Sequence, residues 1–202
     1  DIRIIAVDEA HCISQWGYDF RPPYLRIAAL REELPGVPVL ALTASATPEV
    51  QQDICQKLHF KNPGIYRQSF ERPNLSYSVF TVDSKINKIT EVLQKVPGTA
   101  IIYCKTRKRT KEISDLLQLR KISADYYHAG LTQEERTKKQ EAWMAGHTRV
   151  IVCTNAFGMG IDKPDVRVVL HAGVPDCLEN YYQEAGRAGR DNKTSYAVLL
   201  YD

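Results

Sequence analysis

The sequence predicts an α/β protein built on parallel sheets with helices on their faces. Three observations carry this. Apolar strand-like runs alternate with helical patterns along most of the chain, which is the pattern of a mostly parallel sheet covered on both faces. Helix-start signals follow several of the runs. Polar, charged and glycine-bearing segments recur just after strand ends, where ligand sites in such sheets lie.

The first strand-like run is Ile2–Val7, expected to be buried, followed by a polar aromatic loop and a helix from about Pro23 to Leu34. Val37–Thr43 reads as the next strand. Thr47-Pro48 opens a helix to about Leu58, with Thr at the N-cap and Pro at the first helical position. Lys61–Pro73 carries two prolines and a glycine without a clear period and reads as a linker. The pattern restarts at Leu75. Strands are expected at Leu75–Val82, Thr99–Cys104, Ala124–Tyr127, Arg149–Cys153, Val166–Leu170 and Tyr196–Tyr201. Helices are expected at Lys85–Val96, Arg107–Leu119, Gln133–Ala145 and Leu178–Gly189. Thr132 and Glu135 form a capping box for the third of these, and Asp176 with Glu179 offers a similar cap for the last. Two units follow, residues 1–72 and 73–202. The second is nearly complete; the first has too few strands to close a doubly wound sheet.

Composition narrows the class. The 202 residues are 44% hydrophobic and 25% charged, enough apolar material for a core. No apolar run approaches the roughly 18 residues of a membrane span, and no signal-peptide pattern opens the chain. The net charge of +3 is too small to argue for nucleic acid, but Lys105, Arg107, Lys108, Arg109 and Lys111 crowd one stretch directly after a strand. The five cysteines include no C-x-x-C pair, which argues against a zinc site. Cys104 and Cys153 end apolar runs and read as small buried hydrophobes. An odd cysteine count without a secretory signal suggests a reducing, intracellular setting.

Several segments carry chemistry. Glu184-Ala-Gly-Arg-Ala-Gly-Arg-Asp191 sets Arg187 and Arg190 three residues apart in a helical pattern, so both guanidiniums are expected on one helix face. Gly186 and Gly189 inside that pattern each cost roughly 1 kcal/mol relative to Ala, as in a helix packed close to another backbone or aimed at a ligand. Two parallel arginines suit a triphosphate. At the other end, the run into Asp8-Glu9-Ala10-His11 ends a strand in two carboxylates. Asp8 is placed to hold Mg²⁺ through its water shell, and Glu9 to accept a proton from an attacking water or orient it.

Cys12-Ile-Ser-Gln-Trp-Gly-Tyr-Asp-Phe-Arg-Pro22 follows at once, with three aromatics and an arginine in a polar loop. Such a loop can stack single-stranded bases; equally, Trp16 and Phe20 can pin it to the domain. Leu42-Thr-Ala-Ser-Ala-Thr-Pro48 puts three hydroxyls after a strand. Cys153-Thr-Asn-Ala-Phe-Gly-Met-Gly-Ile-Asp162 is a glycine-bearing loop in which Gly158 and Gly160 permit close backbone approach. Thr154 and Asn155 can bind a nucleic-acid phosphate and Asp162 a ribose hydroxyl. The loop is no dinucleotide fingerprint, because the third glycine is missing. His128, after another strand, is either structural or a phosphate contact.

Together and in this order, these segments resemble the superfamily 2 helicases, and the aromatic loop narrows the resemblance to the RecQ family. Asp8–His11 resembles motif II, Ser14–Pro22 the aromatic-rich loop, Leu42–Thr47 motif III, Ile101–Thr106 motif IV, Val152–Pro164 motif V and Tyr181–Asp191 motif VI. The resemblance implies two RecA-like lobes with ATP between them, a truncated first lobe followed by a nearly complete second, and an ATP-dependent helicase moving 3′ to 5′ on single-stranded DNA. It implies nucleotide and Mg²⁺ roles for Asp8, Glu9, His11, Gln183, Arg187, Arg190, Asp162 and Gly160, with Arg190 as arginine finger. It implies DNA contacts from Ser14, Trp16, Phe20, Arg21, Lys105, Thr106, Arg107, His128, Thr154 and Asn155. Single-stranded and forked DNA and ATP are the expected partners, with no membrane, for a monomer in the bacterial cytoplasm or the eukaryotic nucleus.

Tyr18, Ser45 and Asn192 depart mildly from the family pattern. The 202 residues contain no G-x-x-x-x-G-K-S/T phosphate loop, so this chain alone is expected to be inactive as a motor. The family's zinc-binding and winged-helix modules are likewise not expected in it. A non-catalytic nucleic-acid-binding module and a superfamily 2 RNA helicase are the competing readings.

Overall fold

A computed structural model describes residues 2–17, 19–44, 46–158 and 161–202. The expectations that fall on Tyr18, Ser45 and Gly160 lie outside the described residues. The chain divides into two compact units, Asp1–Phe70 and Glu71–Asp202.

In the first unit, β1 (Ile5–Val7) pairs in parallel with β2 (Val39–Ala41), Ile5 opposite Val39 and Val7 opposite Ala41. The pairing is shorter than the apolar runs predict. Ile2 and Ile4 precede it and are 60% and 53% exposed, which corrects the expectation of a buried strand. A 3-10 turn at Ala10–Ile13 follows β1. The helix expected from Pro23 is a 3-10 segment, Pro22–Ala28, running into a short α1 (Ala29–Glu33). Helix α2 (Pro48–Lys57) starts as the sequence demands, with the Thr47 hydroxyl accepting from Val50 N at 3.4 Å. Its Val50 and Ile54, with Leu58, pack against Val7, Ala10 and Ile13.

The second unit holds a six-stranded, all-parallel sheet in the order β3-β8-β7-β4-β6-β5. Its strands are β3 (Leu75–Thr81), β4 (Thr99–Tyr103), β5 (Ala124–Tyr127), β6 (Val150–Cys153), β7 (Val166–His171) and β8 (Ser195–Tyr201). Its helices are α3 (Lys85–Lys95), α4 (Arg107–Leu119), α5 (Gln133–Met144) and α6 (Leu178–Ala185). Successive strand side chains point to opposite faces, and both faces are filled. Ala100, Ile102, Val150, Val152, Val168 and Leu170 meet Ile89 and Leu93 of α3 and Ile113 and Leu117 of α4. Ile101, Tyr103, Ile151, Cys153 and Val169 meet Trp143 of α5 and Ala185 of α6 on the other side. The capping box of α5 is present, Thr132 Oγ1 accepting from Glu135 N and Glu135 accepting from Thr132 N.

Two helix ends differ from expectation. The N-cap of α6 is Cys177, whose sulfur accepts from Asn180 N at 3.4 Å, and not Asp176. The same helix stops at Ala185, four residues before Gly189. Gly189 has φ +64, a left-handed backbone that no helix interior contains, and a Cβ there would meet Asn74 Nδ2 at 2.6 Å and Ser195 Oγ at 2.7 Å. Arg187 and Arg190 therefore sit on turns beyond the helix and do not share a helix face.

The two tryptophans occupy opposite environments. Trp143 is fully buried and donates its indole N–H to Ala100 O at 3.2 Å, whereas Trp16 is 77% exposed. Trp143→Ala is expected to cost about 3–5 kcal/mol of unfolding free energy, and Trp16→Ala no more than about 0.5 kcal/mol. Urea titration of both variants checks this; a stability loss at Trp16 would mean that its ring pins the loop.

Candidate nucleotide and nucleic-acid site

In the first unit, the candidate residues gather on the turn that ends β1. Asp8 is exposed, and its Oδ1 accepts from Glu9 N at 2.9 Å. Glu9 takes a left-handed conformation at φ 49, which costs a non-glycine residue roughly 1–2 kcal/mol. Leu42 N bonds to Val7 O and Ala10 N to Leu42 O, both at 2.8 Å, so the turn is stitched to the end of β2. His11 is 2% exposed and reaches Thr43 Oγ1 through Nδ1 at 3.0 Å. It bridges the Asp8–His11 and Leu42–Thr47 segments from within.

Burial holds the His11 pKa below its ordinary 6.5, outweighing the pull of Glu9, so the ring is neutral at neutral pH. Its approach to Glu9 Oε2 at 3.3 Å is then not an ion pair. That carboxylate oxygen is itself shielded and has no hydrogen-bond partner among the described residues.

The aromatic loop is tied to the same turn. Arg21 N donates to Cys12 O at 2.8 Å, and a Cβ on Gly17 would meet His11 O at 2.6 Å, so only glycine lets the loop pass that close. Ser14 is fully buried and its hydroxyl accepts from Trp16 N. It shapes the loop from inside, where the sequence suggested an exposed contact. Arg21 is paired with Asp19 at 2.5 Å; Phe20 is half-buried. Trp16, at 77% exposed, stands further into solvent than Phe20.

His11, Cys12 and Asp19 bring possible metal-binding atoms within 4.8 Å of one another. They fit a metal poorly. Asp19 is engaged by Arg21, and burial with Asp19 beside it pushes the Cys12 thiol up to about 11, far from the thiolate that a metal requires.

In the second unit, the candidates cluster at the C-terminal ends of β4, β5, β6 and β7. Lys105 and Asn155 line a cavity of about 270 Å³ with Tyr103, His171, Asp176 and Glu184. His171 is 1% exposed; its Nε2 lies 2.8 Å from Glu184 Oε2 and its ring stacks on Tyr103. Sequence reasoning missed this pair, because an apolar strand ending in His carries no sign of its partner on a helix. Arg107 and His128 line a second cavity of about 280 Å³, with Arg107 lying over Gly130. Thr106 caps α4, its hydroxyl accepting from Arg109 N at 3.2 Å. Thr154 is 8% exposed, its hydroxyl turned to Ala156 N.

The loop after β6 and the turn after α6 meet. Arg187 Nη1 reaches Ile161 O at 3.4 Å and lies so close over Gly158 that a Cβ there would fall 2.5 Å from Nη2. Arg190 Nη1 donates to Asp162 at 2.8 Å, in a pair whose side chains are 40% and 78% exposed. Gln183 is half-buried on α6.

Comparison with known proteins decides the family. The helicase conserved C-terminal domain matches residues 84–192. The chain belongs to the helicases. Within them it is a RecQ-family sequence. It is 47% identical to the ATP-dependent DNA helicase RecQ of Bacillus subtilis, over 100% of this chain and 34% of that protein. It is 46% identical to the RecQ-like DNA helicase blm-1 of Caenorhabditis elegans, over 96% and 20%. R290 of Acanthamoeba polyphaga mimivirus, which carries an RNA-helicase name, is 48% identical over 100% and 37%. The chain thus spans between a fifth and two-fifths of these relatives. Among solved structures, yeast Dbp5 bound to RNA and ADP BeF3 superposes with a TM-score of 0.77 at 20% identity, covering 98% of this chain and 53% of that one, which shows the helicase fold. No helix among the described residues is long and apolar enough to cross a membrane.

The neutral, buried His11 makes stability depend on pH with a definite sign. Its folded pKa lies below the unfolded value, so the unfolded chain takes up the proton first as pH falls. The contribution is complete above pH 6.5 and is lost below it. Urea titrations at about pH 7.5 and pH 5.5 should show lower stability at the acid end, and His11→Gln should reduce that difference. An unchanged difference would show that His11 is not its source.

Proposed function

We propose that this helicase chain contributes to an ATP-driven motor that moves 3′ to 5′ along single-stranded DNA and opens forked duplexes. The natural protein would act as a monomer where chromosomal DNA resides. The observation that carries the reading is Trp16. A ring 77% exposed projects from a loop whose base is bonded into the Asp8–His11 turn, so a group suited to stacking on bases and a carboxylate pair suited to phosphate chemistry share one piece of backbone.

The donor set fits a nucleotide with its metal. Asp8 offers an exposed carboxylate beyond a parallel strand, which suits a hydrated Mg²⁺. When bound, Mg²⁺ neutralises charge on the phosphate oxygens. Glu9 accepts a proton from water or orients it. Arg190 meets phosphate charge as the arginine finger, Arg187 and Gln183 contribute further nucleotide contacts, and Asp162 serves the ribose. Trp16, Phe20 and Arg21 contact bases and backbone; Lys105, Arg107, His128 and Asn155 follow the backbone across the strand ends.

ATP hydrolysis by the natural protein that carries this sequence, measured with and without single-stranded DNA, tests the proposal. Glu9→Gln should lower turnover by about 10²–10⁴ and leave nucleotide binding in place. Arg190→Ala should lower it by about 10³–10⁵. Trp16→Ala should weaken DNA binding by about 1–3 kcal/mol. DNA binding that ATP never alters would instead favour a non-catalytic binding module. The RNA-helicase name of R290, at 48% identity, makes competition between DNA and RNA for stimulation the discriminating control.

A further inference from the structure

Helix α6 ends at Ala185, so the carbonyls that follow have no helical donor and would be costly to leave unpaired. Gly189 O has one local donor, Asn192 N at 3.1 Å, and the other donors come from far along the chain. Arg72 donates through Nη1 to Gly186 O at 3.2 Å and through Nη2 to Ala188 O at 3.0 Å and Gly189 O at 3.1 Å. Asn74 Nδ2 donates to Gly189 O at 2.7 Å and Lys193 O at 3.0 Å. One guanidinium thus grips the backbone on both sides of Arg187. One amide grips the residue before Arg190.

The turn is also held from its other flank. Gly189 N donates to Val166 O at 2.9 Å and Asp191 N to Pro164 O at 3.1 Å. Arg167 pairs with Asp191 at 2.5 Å. The left-handed Gly189 leaves no room for a side chain, because Asn74, Ser195 and Lys193 close around it. Arg72 and Asn74 are themselves set by a turn around Pro73, in which Leu75 N donates to Arg72 O at 2.9 Å. A charged donor also suits the negative end of a helix.

We infer that Arg72 and Asn74 are positioning residues that fix the backbone carrying Arg187 and Arg190, and so set where those guanidiniums stand. This rests on the phosphate role proposed above for Arg190. A backbone held by fixed carbonyl contacts does not itself have to reorganise when phosphate charge develops, and small misplacements of the groups it carries are expensive in rate.

The experiment uses the natural protein that carries this sequence, with Arg72→Ala, Arg72→Lys, Asn74→Ala, Arg190→Ala and the Arg72→Ala/Arg190→Ala double variant. Arg72→Ala should lower DNA-stimulated kcat by about 100-fold while the KM for ATP moves little. Arg72→Lys should recover part of the loss. The double variant should be no slower than Arg190→Ala alone. Hydrogen exchange gives a readout independent of turnover: amides of residues 186–191 should exchange at least about ten times faster in Arg72→Ala, and those of β4 and β6 at the native rate. Asn74→Ala and Arg72→Lys carry the same comparison if Arg72→Ala does not fold. Native kcat in a folded Arg72→Ala, or unchanged exchange over 186–191, overturns the inference. Native kcat in Arg190→Ala overturns the finger assignment instead, and the exchange data still decide whether Arg72 anchors the turn.

Discussion

A parallel sheet must be covered on both faces, and that constraint organises the larger unit. Each crossover returns the chain to the starting edge of the sheet, so helices occupy both faces and the strands become apolar on both sides. Ile101 and Ile102, adjacent in sequence, are both fully buried because they belong to opposite layers. No face is left for polar chemistry. It is confined to the loops at the strand ends, and Lys105, His128, Thr154 and His171 all occupy C-terminal ends of strands. The smaller unit obeys the rule only in part. β1 pairs with β2 alone, and Ile2, Ile4, Leu40 and Leu42 stay between 45% and 60% exposed.

Much of this was legible because it depends on short-range rules. Arg107–Leu119 and Ala124–Tyr127 have the bounds that periodicity predicts, and Thr47 and Thr132 cap the helices that their spacing announces. The failures share a cause: each depends on a partner distant in sequence. The helical period from Leu178 continues through Arg190 on paper. The chain leaves the helix at Gly186, and Arg72 and Asn74, more than 110 residues away, donate to the carbonyls of the turn that follows. Ser14 reads as a polar loop residue, yet the loop folds over it. His11 reads as a ligand-facing residue, yet Thr43 draws it inward. Asp176 has the right residue type for a cap, but it lies 3.6 Å from Lys105 while Cys177 takes the cap position.

The candidate site was legible as segments and less so as side chains. Sequence order locates the Asp8–His11 turn, the aromatic loop and the loop after β6. It cannot say which members face outward. Of the aromatic loop, Trp16 does and Ser14 does not; after β6, Asp162 does and Thr154 hardly does. These differences separate groups that can meet a ligand from groups that build the surface on which it would rest.

Burial also divides the two arginines after α6. Arg187 lies against Gly158 and Ile161, with its Nε enclosed and without a partner among the described residues. Its removal would open a gap in the loop after β6, so a loss of activity there would mix packing with chemistry. Among the described residues Arg190 pairs with Asp162, in an exposed pair of a kind worth about 0–1 kcal/mol. A pair that weak does not commit the guanidinium to Asp162. On the proposed reading, Asp162 keeps Arg190 near the loop after β6 at little energetic cost. The carbonyl contacts of Arg72 and Asn74 fix the backbone beneath it, so only the side chain has to move.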